Sequence, residues 1–207
     1  MVEKNKAEFV DLLKKNVHRY GVDSLVESLE KTDFFESPAS TKYHGSYEGG
    51  LVVHSLNVYY ELINVMKLLY GPDWQQRHSL ESVTLVALLH DICKAGKYQK
   101  DVRNKKNPKT GVWESVPCYV WNTESFKMGH GASSVFHAMQ YIELTPEEAQ
   151  AIYWHMGAFD ISQYSTVSDM SDTFSENTLA FALHMADMIS THVTENEKFK
   201  PVEIKNT

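Results

Sequence analysis

Cysteine is scarce in this chain. Cys93 and Cys118 are its only two, too few and too far apart for a disulfide framework or a thiolate zinc site, and both are expected to be reduced, structural thiols. No run of about 18 uninterrupted apolar residues is present, so a membrane-spanning helix is not expected. The N-terminal Met1-Val2-Glu3-Lys4-Asn5-Lys6 leads into a mixed amphipathic pattern rather than the apolar core of a secretory signal, and cytoplasmic residence is the expectation. Positive charge is in deficit too. Lys and Arg number 20 against 27 Asp and Glu, a formal charge of −7, which argues against stable binding to duplex nucleic acid, where affinity comes from clustered cations.

What is present is globular. The 207 residues, 43% of them hydrophobic and 23% charged, suit one compact domain with an insertion. The charge deficit has a local exception: Lys94, Lys97, Lys100, Arg103, Lys105, Lys106 and Lys109 stand against the single acid Asp101. This stretch is either a solvated loop or a rim that attracts anions.

Periodicity predicts an all-α fold interrupted once. Phe9, Leu13, Val17 and Tyr20 recur at helical spacing, with Gly21 placed to end that helix and Asp23 to cap a second one through about Glu30. Loop follows through Ser37–Ser40 and Gly45–Gly50. A longer helix then carries Leu51, Ser55, Leu56, Tyr59, Leu62, Ile63, Met66 and Leu69 on its inner stripe and stops at Gly71-Pro72. From about Ser79 to Cys93 the chain is apolar on most of a helix circumference, which marks a central, buried helix. Helical period fails from Tyr98 to Trp121, where strands at Tyr98–Arg103 and Val112–Trp121 flank Asn107–Gly111, predicting an inserted β-hairpin. Val135, Phe136, Met139 and Ile142 resume a helix. Thr145-Pro146-Glu147-Glu148 supplies an N-cap, a first-turn proline and a capping-box acid for the next, which ends at Gly157. A polar loop to about Asn177, a last helix from Thr178 through Ile189 and a frayed tail from Glu195 to Thr207 complete the expectation.

The chemistry lies in Leu88-Leu89-His90-Asp91-Ile92-Cys93-Lys94, where a His-Asp pair closes an apolar helix. Such groups are costly to bury unpaired, and a divalent ion resolves the cost, because neutral imidazole and carboxylate are both good ligands. His54 opens the preceding buried helix, and Asp187 interrupts the apolar face Leu183, Ala186, Ile189. Together His54, His90, Asp91 and Asp187 form a mixed nitrogen and oxygen set suited to Mn²⁺, Fe²⁺, Co²⁺, Ni²⁺ or Zn²⁺, with Mg²⁺ also admissible.

Three segments in this order, Gly49-Gly50-Leu51-Val52-Val53-His54-Ser55-Leu56, Leu88 to Lys94, and His184-Met185-Ala186-Asp187, resemble the HD superfamily of metal-dependent phosphohydrolases over about residues 49–190. The first is also similar to the HD module of bacterial 3′–5′ exoribonucleases. The resemblance implies an HD-type helical bundle, with 49–194 as its metal-binding core. It also implies a second ion near His130 and His155, with Asp91 bridging; phosphate contact or proton donation are the other roles open to these two histidines. Cys93 departs from the pattern, since many members carry glycine before the lysine. Lys94 either caps its helix or neutralises a substrate phosphate, with Lys97 and Arg103 as further substrate-binding candidates. His137 is expected at the surface or in the core, His184 outside the ligand set, and His18, His44, His78 and His192 at the surface.

The implied activity is hydrolysis of a phosphoester, in a nucleotide or short oligonucleotide, by metal-activated water, with Asp91 and Lys94 as the catalytic pair. Two rivals stand: a di-iron oxygenase on the same fold, and a nucleotide-binding sensor without turnover. The basic stretch favours a phosphate-bearing substrate over a neutral polyol. Substrate, metal identity and oligomeric state are not legible in the sequence.

Overall fold

Apolar periodicity becomes eight α-helices and one hairpin in the computed structural model, which describes residues 1–124, 128–161, 166–196 and Phe199. In chain order these are α1 (Val2–Asn16), α2 (Val22–Glu30), α3 (Gly50–Tyr70), α4 (Leu80–Leu89), β1 (Tyr98–Lys106), β2 (Trp113–Trp121), α5 (His130–Met139), α6 (Pro146–Trp154), α7 (Val167–Glu176) and α8 (Thr178–Ile189). Helix α4 organises them. Every residue from Val83 to Leu89 is buried, so each side of the helix needs a cover, and α1, α3, α6 and α8 supply it. Among the described residues no helix is long and apolar enough to cross a membrane.

Local chemistry sets the firmest boundaries. Ser79 accepts a hydrogen bond from Ser82 N at the start of α4, and Thr145 with Glu148 closes the capping box that starts α6. Glu148 has a second task. Its carboxylate, 1% exposed, accepts two hydrogen bonds from Arg19 at 2.6 and 2.7 Å, tying the segment after α1 to α6.

That tie explains one departure from the expected pattern. Helix α1 ends at Asn16, Val17 is extended, and Tyr20 is 98% exposed. His18 N donates to Glu81 and Arg19 reaches Glu148, so tertiary partners draw the chain out of the helix that its spacing suggests. Gly21 does not end α1. With φ of 97° it is the N-cap of α2, and a Cβ there would come within 1.8 Å of Tyr141 O.

Other boundaries move for comparable reasons. Leu69 of α3 is 42% exposed, and α5 buries Ser133, Ser134 and Ala138 while leaving Phe136 and Met139 about half exposed. Ile142, expected on the same stripe, is buried beyond the end of α5. Helix α7 lies where loop was expected. It has no fully buried residue, and the Thr166–Asp169 capping box, rather than an apolar stripe, marks its start.

The hairpin is inserted between α4 and α5. Strands β1 and β2 pair antiparallel from Tyr98 opposite Trp121 to Lys106 opposite Trp113, so β1 runs three residues past the expected Arg103. Asn107 shapes the turn by accepting from Lys109 N and Thr110 N. Of β1 only Tyr98 is buried.

Candidate metal centre

Helix ends meet at one place. Helix α4 stops at Leu89, short of the expected Cys93; His90 is its C-cap, Asp91 leaves helical geometry, and Ile92–Lys94 form a 3-10 turn closed by Lys94 N to Asp91 O. His155 is the C-cap of α6, His130 opens α5, His54 lies in the opening turns of α3, and Asp187 faces inward near the end of α8. Close packing of α5 on α6 sets the position of His130. A Cβ at Gly131 would lie 2.0 Å from Tyr153 O, so only glycine allows this approach. Asp160 fixes the start of α5 by accepting from His130 N and Gly131 N at 3.0 and 2.6 Å.

All six proposed ligands converge. His54 Nε2 lies 3.1 Å from Asp187 Oδ1, 3.3 Å from His90 Nε2 and 3.7 Å from Asp91 Oδ2. Asp91 is the hub, 1% exposed: Oδ2 is 2.6 Å from Lys94 Nζ and 3.5 Å from His90 Nε2, and Oδ1 is 2.6 Å from His130 Nε2 and 3.5 Å from His155 Nε2. Two groups with metal-binding spacing share Asp91, His54–His90–Asp91 and Asp91–His130–His155. A third, His90–His155–Asp187, crosses between them, and a fourth joins His44, His54 and Glu195.

The electrostatics follow from burying so many charges together. Burial would raise the Asp91 pKa, but Lys94, His90 and His130 hold it well below the usual carboxylate range. Burial likewise disfavours the charged form of His54, yet Glu195 and Asp187 outweigh it and push its pKa up to about 10. For His130, burial is overcome chiefly by Asp91, giving about 9. For His155 burial wins and its pKa is lowered. The carboxylates therefore demand positive charge among the rings, from protons or from a cation.

The donor set fits a divalent cation. His90 Nδ1 donates to Ala87 O at 2.7 Å and His155 Nδ1 to Ile152 O at 2.6 Å, which leaves Nε2 of each ring facing the carboxylates. His155 Nε2 is buried without a hydrogen-bond partner. Acceptors facing acceptors repel unless a cation or proton stands between them, and imidazole with carboxylate suits the transition metals named above. A cavity of about 110 Å³ opens beside the cluster, lined by His44, Lys94, Met156, Phe159, Met188 and His192 among others.

Two residues of this region were expected elsewhere. His44 is not a surface histidine; its ring packs on His54 with centroids 4.8 Å apart, and both its nitrogens are buried without partners. Burial lowers its pKa to about 4. His192 is exposed, as expected, and also lines the cavity. Glu195 does not belong to a frayed tail, since it binds His54; residues 197–198 and 200–207 of that tail lie outside the described residues. Nothing in the apolar pattern marks His44 or Glu195, because neither sits on an amphipathic helix.

Two expected substrate contacts sit apart from the cluster. Lys97 is buried, with Nζ 3.5 Å from Cys93 Sγ, while Arg103 lines a different cavity with Thr41, Glu48, Lys100 and Tyr119. No hairpin residue lines the cavity beside Asp91. Cys93 takes a structural place, its Sγ 3.3 Å from His130 Nδ1. His184 donates from Nδ1 to His155 O and stacks on Phe174, and His137 is half-buried on α5. Compared with known proteins, the chain matches no family model, no curated protein sequence and no solved structure.

Proposed function

We propose that the chain is a metal-dependent phosphohydrolase on an HD-type bundle, cleaving a phosphoester of a nucleotide or short oligonucleotide. One observation carries the reading: His54, His90, Asp91 and Asp187, from the start of one helix, the end of another and the inner face of a third, lie around one buried point. Their order along the chain is the order in which the HD superfamily carries its ligands.

A divalent ion held by these four residues would supply Lewis acidity, lowering the pKa of a water and neutralising phosphoryl oxygens. The protein's own groups would do the rest. Asp91 orients the attacking water, and Lys94, buried against Asp91 and lining the cavity, offers its ammonium to a phosphoryl oxygen as negative charge moves toward the leaving group. His130 and His155 face the other oxygen of Asp91, where they either hold a second ion or bring a proton to the leaving oxygen. The cavity beside the cluster has Lys94, Met156, Phe159 and Met188 in its lining, so a phosphoryl group placed there would reach the Lys94 ammonium while the leaving group lies against the apolar side chains.

The test is a phosphoester panel covering nucleoside mono- and triphosphates, cyclic dinucleotides and short oligonucleotides. Each is assayed with Mn²⁺, Co²⁺, Ni²⁺ or Mg²⁺ against metal-stripped protein. Metal-dependent release of phosphate or nucleotide is the expected result. Iron absorbance after aerobic purification without hydrolysis would support the oxygenase instead, and tight nucleotide binding without turnover in any metal would support a sensor.

A further inference from the structure

The four histidines around Asp91 do not solve the same problem in the same way. Each can present one ring nitrogen to a metal only if the other is held by a partner that fixes the tautomer. His90 and His155 stand at helix C-termini, where the last-turn carbonyls have no intrahelical partner, and each donates Nδ1–H to the carbonyl three residues earlier. His130 has Cys93 Sγ beside Nδ1. His54 stands at the opposite kind of end. The opening turns of a helix offer free N–H groups, and their carbonyls are already engaged, so His54 has no local acceptor.

Its acceptor comes from 141 positions along the chain. His54 Nδ1 lies 2.8 Å from Glu195 Oε1, and Asn57, one turn further along α3, donates to the same oxygen at 3.0 Å. The Glu195 side chain is 8% exposed, and Oε2 is buried without a partner. Delivering it takes a particular backbone. After α8 the chain continues as a π-helical turn, Ser190–Thr194, closed by Glu195 N to Ser190 O at 2.9 Å. On an uninterrupted α-helix, at about 100° per residue, Glu195 would point about 80° away from Asp187. One residue absorbed by the wider turn brings it back to within about 20° of that face. Asp187 and Glu195 thus approach the two nitrogens of one ring, Nε2 at 3.1 Å and Nδ1 at 2.8 Å. Thr194 strengthens the seam by donating to Glu61 of α3.

We infer that Glu195, carried by the π turn, is a positioning residue for the metal centre, whose carboxylate holds His54 with Nε2 free for the ion. This deepens the metal reading above and rests on it. Glu195 also has metal-binding spacing with His44 and His54, but its bonded oxygen meets His54 at Nδ1, the nitrogen away from Asp91 and Asp187, and accepts from Asn57 as well, so it serves to hold the ring rather than to join the ligands around Asp91.

The experiment is a Co²⁺ titration of the full-length metal-stripped protein in competition with a chelator, followed by visible absorption, for wild type, Glu195→Gln and Glu195→Ala. The alanine variant is expected to bind Co²⁺ about 10- to 100-fold more weakly. Glutamine keeps an acceptor for Nδ1–H without the charge and should recover part of that loss. The number of ions bound at saturation stays that of wild type, while the Co²⁺ band shifts in the alanine variant as His54 reorients. A merely structural role would lower the thermal midpoint of the two metal-free variants below that of wild type without moving the band. Equal affinity and identical bands in all three proteins would overturn the inference and leave the metal centre standing. Loss of one whole equivalent of Co²⁺ in both variants would make Glu195 a ligand and overturn it as well. A wild type that binds no Co²⁺ would remove the metal centre itself.

Discussion

Asp91 is 1% exposed and has Lys94 and His130 within 2.6 Å, with three further imidazoles around it, whereas every residue of β1 from Gln99 to Lys106 is exposed. Within that strand Lys100 pairs with Glu48, and Arg103, Lys105 and Lys106 form no ion pair with any described residue. Buried charge is so costly that each group needs several partners, and the partners fix one another's positions. Exposed charge is solvated and owes its position to nothing nearby. At the cluster, changing one group should therefore disturb several functions together. On the hairpin, three changes together should alter only long-range attraction.

The largest effect is expected at the hub. Asp91→Ala should abolish metal retention and phosphoester turnover together, measured by elemental analysis and by the best substrate of the panel. Wild-type turnover in a metal-replete assay would detach Asp91 from the chemistry. Lys94→Ala should separate the two readouts, keeping the metal while kcat falls by roughly two orders of magnitude, the scale of one lost transition-state donor. Metal loss along with activity would show that Lys94 serves chiefly to balance Asp91 inside the protein.

The same contrast governs what could be read from the residues alone. His90 and Asp91 close one apolar helix and Asp187 interrupts another, and a polar group set against an apolar face announces a partner before any coordinates exist. The capping box at Thr145 and the hairpin around Asn107 were legible for a similar reason, since local chemistry alone decides them. Arg19 with Glu148 and Glu195 with His54 join residues more than a hundred positions apart, and no local pattern encodes such a meeting. Helix α7 was hidden because it lacks a buried stripe. The basic stretch from Lys94 to Lys109 leaves both a solvated loop and an anion-attracting rim open, because the sequence shows its charge but not its direction.

Away from the cluster, Glu148 tests whether the rule of buried charge extends to stability. Its carboxylate is 1% exposed and Arg19 21% exposed, so Glu148→Gln removes the charge from a largely buried pair while keeping an acceptor for the capping box. A loss of about 2–3 kcal/mol is expected by urea unfolding at pH 7, below the full value for a pair wholly out of water. Burial would raise the Glu148 pKa, but the hydrogen bonds from Arg19 and its neighbours lower it below the ordinary 4.5. The carboxylate's contribution is thus complete above about that pH and fades as the pH falls through its lower, folded value. Wild type and variant should converge in acid. A gap that stays constant from pH 7 to pH 3 would mean that the cap and packing, not the ion pair, carry the difference.

The smallest effect is expected on the hairpin. Replacing Arg103, Lys105 and Lys106 together by glutamine touches no residue of the cavity beside Asp91, so metal content should not change and unfolding free energy should stay within about 0.5 kcal/mol. What remains for these charges is attraction at a distance. In a chain of formal charge −7 they would draw an anionic substrate toward the hairpin, and such steering decays over about 10 Å at 0.1 M salt. The triple variant should therefore show a kcat/KM a few-fold lower at low ionic strength, an unchanged kcat, and convergence with wild type as salt is added. A deficit that persists at high salt would place Arg103 in direct contact with substrate through the cavity it shares with Glu48 and Lys100, making the hairpin part of the binding surface. Identical salt profiles would instead leave the hairpin's charge to the solvent and withdraw the argument from charge for an extended anionic substrate.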